Sequence, residues 1–178
     1  MNQAQKYHFS WDMLGDLQLG RPNLGSQTRL EVYRLMQFCL RDRLEQELGA
    51  QKTDQIFIEA GKLAGLEFYR HFLASAQDFG EFANALQAIL KEMNVGILRF
   101  EKSDLAAHSF ILTVDEDLDC SGLPEMDFEV CKYDEGFIAG ILEEFTRQKM
   151  DVQEIDCWCT GSRTCRFKAD VVADGPAA

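Results

Sequence analysis

The order of helical and strand-like periodicity is the feature of this sequence that most restricts its fold. Apolar residues first recur every three or four positions, and the period later changes to two. In chain order, the pattern predicts helices over 26–48, 53–76 and 79–93, strands over 95–101 and 107–114, a helix over 133–148, and strands over 150–158 and 164–172. This order predicts an α+β domain in which the helices pack on one face of an antiparallel sheet.

The length of 178 residues suits one ordinary domain. Residues 1–25 contain Trp11, Pro22 and several glycines and predict an irregular N-terminal arm, which packs either on its own domain or on a neighbouring subunit. We expect a single domain over 26–172 and a frayed tail over 173–178.

The charge of the chain disfavours two classes of partner. Acidic residues outnumber basic ones by 30 to 18, which gives a formal net charge of -12. Such a chain gains nothing from phosphate polyanions or anionic membrane surfaces, so we expect neither nucleic acid nor membrane as a partner. The sequence has no apolar stretch of membrane-spanning length and does not begin like a secretory signal, which favours a cytoplasmic location.

Five of the six cysteines lie in the last third of the chain, at positions 120, 131, 157, 159 and 165. In a reducing compartment they are metal ligands, redox thiols or buried apolar residues. Glu154 precedes Cys157 by three residues, and three thiolates with one carboxylate make a tetrahedral Zn²⁺ site. Strict strand alternation places these two side chains on opposite faces, so a shared ion requires a bulge or strand end near Ile155. Cys120 and Cys159 are left over, and we expect Cys159 to be an ordinary partly buried cysteine.

The segment over 131–167 carries a recognisable run of residues. In order, it contains Cys131, the helical run Gly136-Phe137-Ile138-Ala139-Gly140, Glu154, Cys157, Gly161, Cys165, Arg166 and Phe167. This run resembles the 4-vinyl reductase domain family of predicted hydrocarbon-binding proteins, and also the sensor domain of aromatic-responsive transcriptional activators. The resemblance implies the ligand-binding fold shared by NO-signalling and Golgi-transport proteins. It also implies a closed, structural zinc site on Cys131, Glu154, Cys157 and Cys165.

The resemblance further implies a pocket between the helices and the inner face of the sheet. The candidate pocket residues are Phe79, Phe82, Leu86, His108, Phe110, Leu112, Phe137, Ile141 and Val152; each of them could equally be an ordinary core residue. The implied function is binding or sensing of a hydrophobic or aromatic small molecule by a homodimer, with output passed to a signalling partner.

Two other functions remain open from the sequence. The family name implies a reductase acting on a vinyl tetrapyrrole, but no GxGxxG motif, P-loop or catalytic triad is visible, so we favour a protein without catalytic activity. The fold implied by the resemblance is also similar to that of vesicle-tethering subunits, which implies a scaffold or trafficking-type subunit that holds an acyl chain.

Overall fold

The computed structural model describes residues 7–172, and the chain divides into two units, one up to Cys39 and one from Leu40 onward. The division falls within a long helix. The predicted tail over 173–178 and the first six residues of the predicted arm lie outside the described residues. The predicted boundaries of the arm and of the single domain stay predictions.

The first unit contains short helical turns followed by the start of a long helix. A 3₁₀ turn covers Trp11–Leu14 and a four-residue helix, α1, covers Leu17–Gly20. Asp16 caps α1, because its Oδ1 accepts a hydrogen bond from the backbone N–H of Leu19 at 2.9 Å. Helix α2 (Leu30–Leu48) begins later than the predicted start at residue 26.

The second unit pairs helices with a four-stranded sheet. Its helices are α3 (Ala50–Phe68), which a π turn (Tyr69–Leu73) extends, α4 (Phe79–Glu92) and α5 (Lys132–Thr146). Its strands are β1 (Ile97–Asp104), β2 (Ser109–Asp115), β3 (Met150–Asp156) and β4 (Cys165–Val171). The strand order is β1-β2-β4-β3 and every neighbouring pair is antiparallel. The predicted fold class is confirmed.

The two faces of the sheet differ in character, as an alternating pattern requires. Phe110 and Leu112 of β2 and Phe167 of β4 are almost fully buried against the helices. On the opposite face Arg166 pairs with Glu101 and Asp156 of the neighbouring strands. The helices therefore cover one face, and ion pairs cover the other.

Helices α3 and α5 approach each other closely enough that only glycine fits at the contact. A Cβ atom on Gly136 or Gly140 of α5 would overlap the backbone carbonyl oxygen of Ile58 or Lys62 in α3. Reciprocally, a Cβ on Gly61 or Gly65 of α3 would overlap backbone carbonyls of α5. The four glycines, spaced four apart on each helix, thus bring the two backbones into direct contact, which also suits Cα–H···O=C contacts.

We expect Gly136→Ala to lower the free energy of unfolding by about 3 kcal/mol or more, because the added methyl meets rigid backbone rather than a movable side chain. Gly20→Ala is the matched control, since a Cβ there meets open space, and it should change stability by less than about 0.5 kcal/mol. Urea unfolding followed by circular dichroism measures both. Equal stability of the two variants would contradict the close helix contact.

Candidate functional site: a buried thiol cluster

Four cysteines from four chain segments meet at the end of the sheet. Cys131 immediately precedes α5, Cys165 begins β4, and Cys157 follows β3 at the start of a 3₁₀ turn (Trp158–Thr160). Cys120 comes from the loop that joins β2 to α5. All four side chains are fully buried and unpaired by disulfides.

The turn between β3 and β4 contains the irregularity that the zinc hypothesis requires. Glu154 pairs with Phe167 and Asp156 pairs with Arg166, so two steps along β3 match one step along β4. This β-bulge at Ile155 leaves Ile155 largely exposed while Glu154 and Cys157 are both buried. The bulge lies where the sequence predicts that it must for both side chains to face one centre.

The sulfur atoms lie at distances that suit a shared ion. The Sγ of Cys165 is 3.1 Å from that of Cys120 and 3.8 Å from that of Cys131, and the Cys131 and Cys157 sulfurs are 4.0 Å apart. All four sulfurs lie within 4.8 Å of one another. Four thiolates bound tetrahedrally to zinc at about 2.3 Å would be about 3.8 Å apart, so the donor set fits Zn²⁺ in both chemistry and spacing.

The cluster contains three of the four predicted ligands and one residue that the sequence analysis left over. Cys131, Cys157 and Cys165 are joined by Cys120. The sequence carried one usable signal for Cys120, since it lies in the same C-terminal third as the other cluster cysteines. The signal was incomplete because nothing in the loop between β2 and α5 predicts where its tip lies in space.

Glu154 borders the cluster and is also a hydrogen-bond acceptor. Its Oε2 accepts from the backbone N–H of Cys131 at 3.2 Å. Its Oε1 is buried and makes no hydrogen bond with any residue in the described part of the chain. Glu135 holds the same strand in place, because its Oε1 accepts from the backbone N–H of Glu154 at 2.9 Å.

The electrostatics of the cluster favour a single thiolate in the absence of a cation. Hydrogen bonds from the Cys120, Cys131 and Cys165 thiols lower the pKa of Cys157 far below the usual range, and contact with the other thiols raises the pKa of Cys131. Burial, followed by the charge of Cys157, raises the pKa of Glu154 to about 9. A bound divalent cation reverses this preference because it favours deprotonated sulfur ligands.

An enclosed cavity lies next to the cluster, between α4, α5 and the sheet. Its volume is about 20 Å³, measured as the space open to the centre of a water-sized sphere, which is room for about one water molecule. It is lined by Leu86, Leu90, Val95, Leu98, Leu112, Val114, Asp117, Asp134, Phe137, Ile138, Ile141 and Leu142. One oxygen each of Asp117 and Asp134 lies within 4.8 Å of the Cys131 sulfur, so the polar end of the cavity adjoins the thiols.

The structure distributes the predicted pocket residues over three places. Four of the nine, Leu86, Leu112, Phe137 and Ile141, line this cavity. Phe79, Phe82 and Phe110 belong to an aromatic cluster, in which Phe82 stacks on Phe145 at 4.2 Å between ring centroids. Val152 lines a separate open groove, and His108 lies in the turn before β2 with a left-handed φ of 48°.

The architecture is that of a class of α+β domains found in sensory and trafficking proteins. The phenol-bound sensory domain of the transcription activator PoxR superposes with a TM-score of 0.67 at 16% identity, covering 86% of this chain and 81% of that domain. A trafficking protein particle complex subunit 3 from Naegleria fowleri, covalently bound to palmitic acid, gives a TM-score of 0.64 at 11% identity, covering 81% of this chain and 95% of that one. These similarities show the fold.

The sequence itself points to one family within this class. Residues 110–171 match the model of the 4-vinyl reductase domain. A vinyl-4-reductase family protein from Methanocaldococcus jannaschii has a TM-score of 0.57 at 18% identity, covering 84% of this chain and 85% of that one. The uncharacterized protein MJ1642 from the same organism is 23% identical over 150 residues, covering 84% of this chain and 81% of that protein. The predicted resemblance to this family is confirmed.

Membrane insertion through a helix finds no support between residues 7 and 172, where every helix is too short or too polar to cross a bilayer.

We expect Cys157→Ser to reduce the zinc content of the purified protein severalfold and to lower its free energy of unfolding by about 3 kcal/mol or more, or roughly 10 °C in Tm. Cys39→Ser is the matched control, because Cys39 is exposed and lies outside the cluster. Elemental analysis and calorimetry test both variants. Unchanged metal content and Tm in Cys157→Ser would contradict a structural metal.

Proposed function

We propose that this protein binds a small apolar or aromatic molecule in the cavity between α4, α5 and the sheet, and that a structural Zn²⁺ stabilises the adjoining segments. The enclosed cavity beside the thiol cluster carries the proposal, because all but two of its lining residues are apolar. Three of the metal ligands in the proposal are Cys131, Cys157 and Cys165. A site with four protein ligands leaves no open position for catalysis, which makes the metal a structural one.

The two acidic residues at one end of the cavity give the ligand an orientation. The Oδ2 of Asp134 is buried and has no hydrogen-bond partner among residues 7–172. An acceptor left in this state costs free energy, and a ligand with a hydroxyl or amine group would satisfy it. We therefore expect a ligand with an apolar body and one hydrogen-bond donor.

The cavity must widen to admit such a ligand. Its present volume holds about one water, whereas ligand pockets usually measure hundreds of Å³. Most of its walls are single side chains of α4 and α5, including Leu86 and Phe137, and these can change rotamer on binding. We propose that widening of the cavity on ligand binding is the event that a sensing function reports to a signalling partner.

We expect native mass spectrometry of the intact protein to show a co-purified small molecule together with one zinc per chain. Phenol and palmitic acid serve as added probes, since structures of the same fold hold them. Leu86→Phe should weaken binding by about tenfold or more, because the larger ring fills the cavity. Leu63→Phe, at an exposed position of α3, is the control and should leave binding unchanged.

These probes also separate the alternative functions. Preferential retention of palmitic acid would favour an acyl-binding, trafficking-type subunit, for which the similarity to the palmitate-bound subunit is the supporting observation. Turnover of a vinyl tetrapyrrole with added NADPH would instead support a reductase and contradict a purely binding role. No change in the affinity of any probe on Leu86→Phe would contradict the proposed cavity.

We further propose that the protein is a homodimer that pairs through α2 and works in the cytoplasm. Several large apolar residues of α2 are exposed in the single chain, namely Leu30, Val32, Leu35, Met36, Leu40 and Leu48. An exposed apolar surface on this scale is typical of an interaction site, and a second copy offers the same surface in return. The six free cysteines suit a reducing compartment.

Leu35→Glu should convert a dimer into a monomer, because it places a charge at the centre of this surface. Leu105→Glu, at an exposed position in the turn between β1 and β2, should leave the dimer intact. Light scattering coupled to size-exclusion chromatography distinguishes the 20.3 kDa chain from a species of twice that mass. A wild-type protein that elutes as a monomer at all concentrations would contradict the proposed dimer.

A further inference from the structure

The turn that carries Cys120 is held by hydrogen bonds that do not involve its thiol. The Oδ1 of Asp117 accepts from the backbone N–H of Asp119 at 2.7 Å and from that of Cys120 at 3.1 Å. The backbone N–H of Leu118 donates to the carbonyl of Val95 at 2.8 Å, which ties the loop to the segment before β1. These bonds fix the Cys120 backbone, so its thiol is in place independently of any ion.

The Cys120 thiol lies inside the cluster, and burial alone does not explain this position. Its sulfur is 3.1 Å from that of Cys165, closer than the other two sulfur separations given above. Cys159 provides an internal comparison. It is equally buried, and yet its sulfur does not belong to the group of four that lie within 4.8 Å of one another.

Glu154, the competing donor, already has a different task. Its Oε2 accepts the backbone N–H of Cys131, and its ligand atoms are not part of the close group of four. A carboxylate that accepts this N–H orients the residue before α5 and so orients the Cys131 thiol. Its Oε1 has no partner within residues 7–172 and is the atom that a ligating glutamate would use, so the test below must separate the two donors.

We propose that Cys120 supplies the fourth ligand and that the metal centre is a four-thiolate site, with Glu154 outside the coordination sphere as a positioning residue. This inference rests on the proposed function, because it assigns the ligand set of the zinc site. It replaces the S₃O set implied by the family resemblance with an S₄ set. Four separate segments then meet at one ion: the β2–α5 loop, the residue before α5, the end of β3 and the start of β4.

Ligation by Cys120 has a consequence for the cavity. Asp117 lines the cavity and also accepts the N–H of Cys120. A metal bound to Cys120 therefore fixes the loop that supplies one polar wall of the ligand site. Loss of this single ligand should loosen the cavity wall while the other three cysteines still hold the ion.

X-ray absorption at the zinc edge of the wild-type protein is the first test. We expect four sulfur neighbours at about 2.3 Å and no oxygen neighbour at about 2.0 Å. Three sulfurs with one oxygen would overturn the inference while leaving the proposed structural zinc intact. Protein that binds no zinc even after reconstitution with the metal alone would overturn both.

Three variants reconstituted with Co²⁺ form the second test, which reads the intensity of the sulfur-to-cobalt charge-transfer absorption. Cys120→Ser should lose about one quarter of this intensity, since one of four thiolates is removed. Cys159→Ser is the matched control at an equally buried cysteine and should keep the wild-type spectrum. Glu154→Gln retains an oxygen that can accept the N–H of Cys131 and should also keep the spectrum and a full equivalent of metal.

The opposite pattern would overturn the assignment. A Glu154→Gln spectrum that changes in band position and falls in metal affinity, beside an unchanged Cys120→Ser spectrum, would identify Glu154 as the fourth ligand. If Cys120→Ser fails to fold, the wild-type absorption data and the Glu154→Gln spectrum still decide between the two donors. A positioning role for Glu154 is also tested by Glu154→Ala, which should lower the metal affinity without changing the number of sulfur neighbours.

Discussion

The direct backbone contact between α3 and α5 is the constraint on which the rest of the second unit depends. Gly136 and Gly140 have no side chain to separate α5 from α3, so α5 has one position along and across α3. That position delivers Cys131, at the start of the helix, to the end of the sheet. It also places Phe137 and Ile141 in the cavity wall. One helix contact thus determines both the candidate metal centre and the candidate ligand site.

Buried carboxylates hold the segments that carry the thiols. Asp117 accepts two backbone N–H groups in the β2–α5 loop, Glu135 accepts the N–H of Glu154, and Glu154 accepts the N–H of Cys131. These bonds satisfy backbone donors that a loop cannot satisfy within itself. They also accumulate negative charge around four thiols, where a divalent cation offsets the charge and folding and metal binding become linked.

The similarity to a phenol-bound sensory domain, a palmitate-bound trafficking subunit and a vinyl-4-reductase family protein shows one fold in different settings. Function in such folds lies in the site and not in the architecture. In this chain the site is a small apolar cavity with an unsatisfied carboxyl oxygen of Asp134, next to a sulfur-rich cluster. These features favour binding of a small amphipathic molecule over chemical conversion.

The sequence by itself determined the element order, the antiparallel sheet and three of the clustered cysteines, because each depends on short-range periodicity or on fixed spacing. Even the bulge at Ile155 followed from alternation, since Glu154 and Cys157 cannot otherwise face one centre. Tertiary structure alone decided that Cys120 joins the cluster, because the path of the β2–α5 loop depends on bonds to Val95 and Asp117. It also decided which apolar residues line a cavity and which, like Phe82, pack into an aromatic cluster, since both kinds have the same hydrophobic pattern and differ only in their neighbours in space.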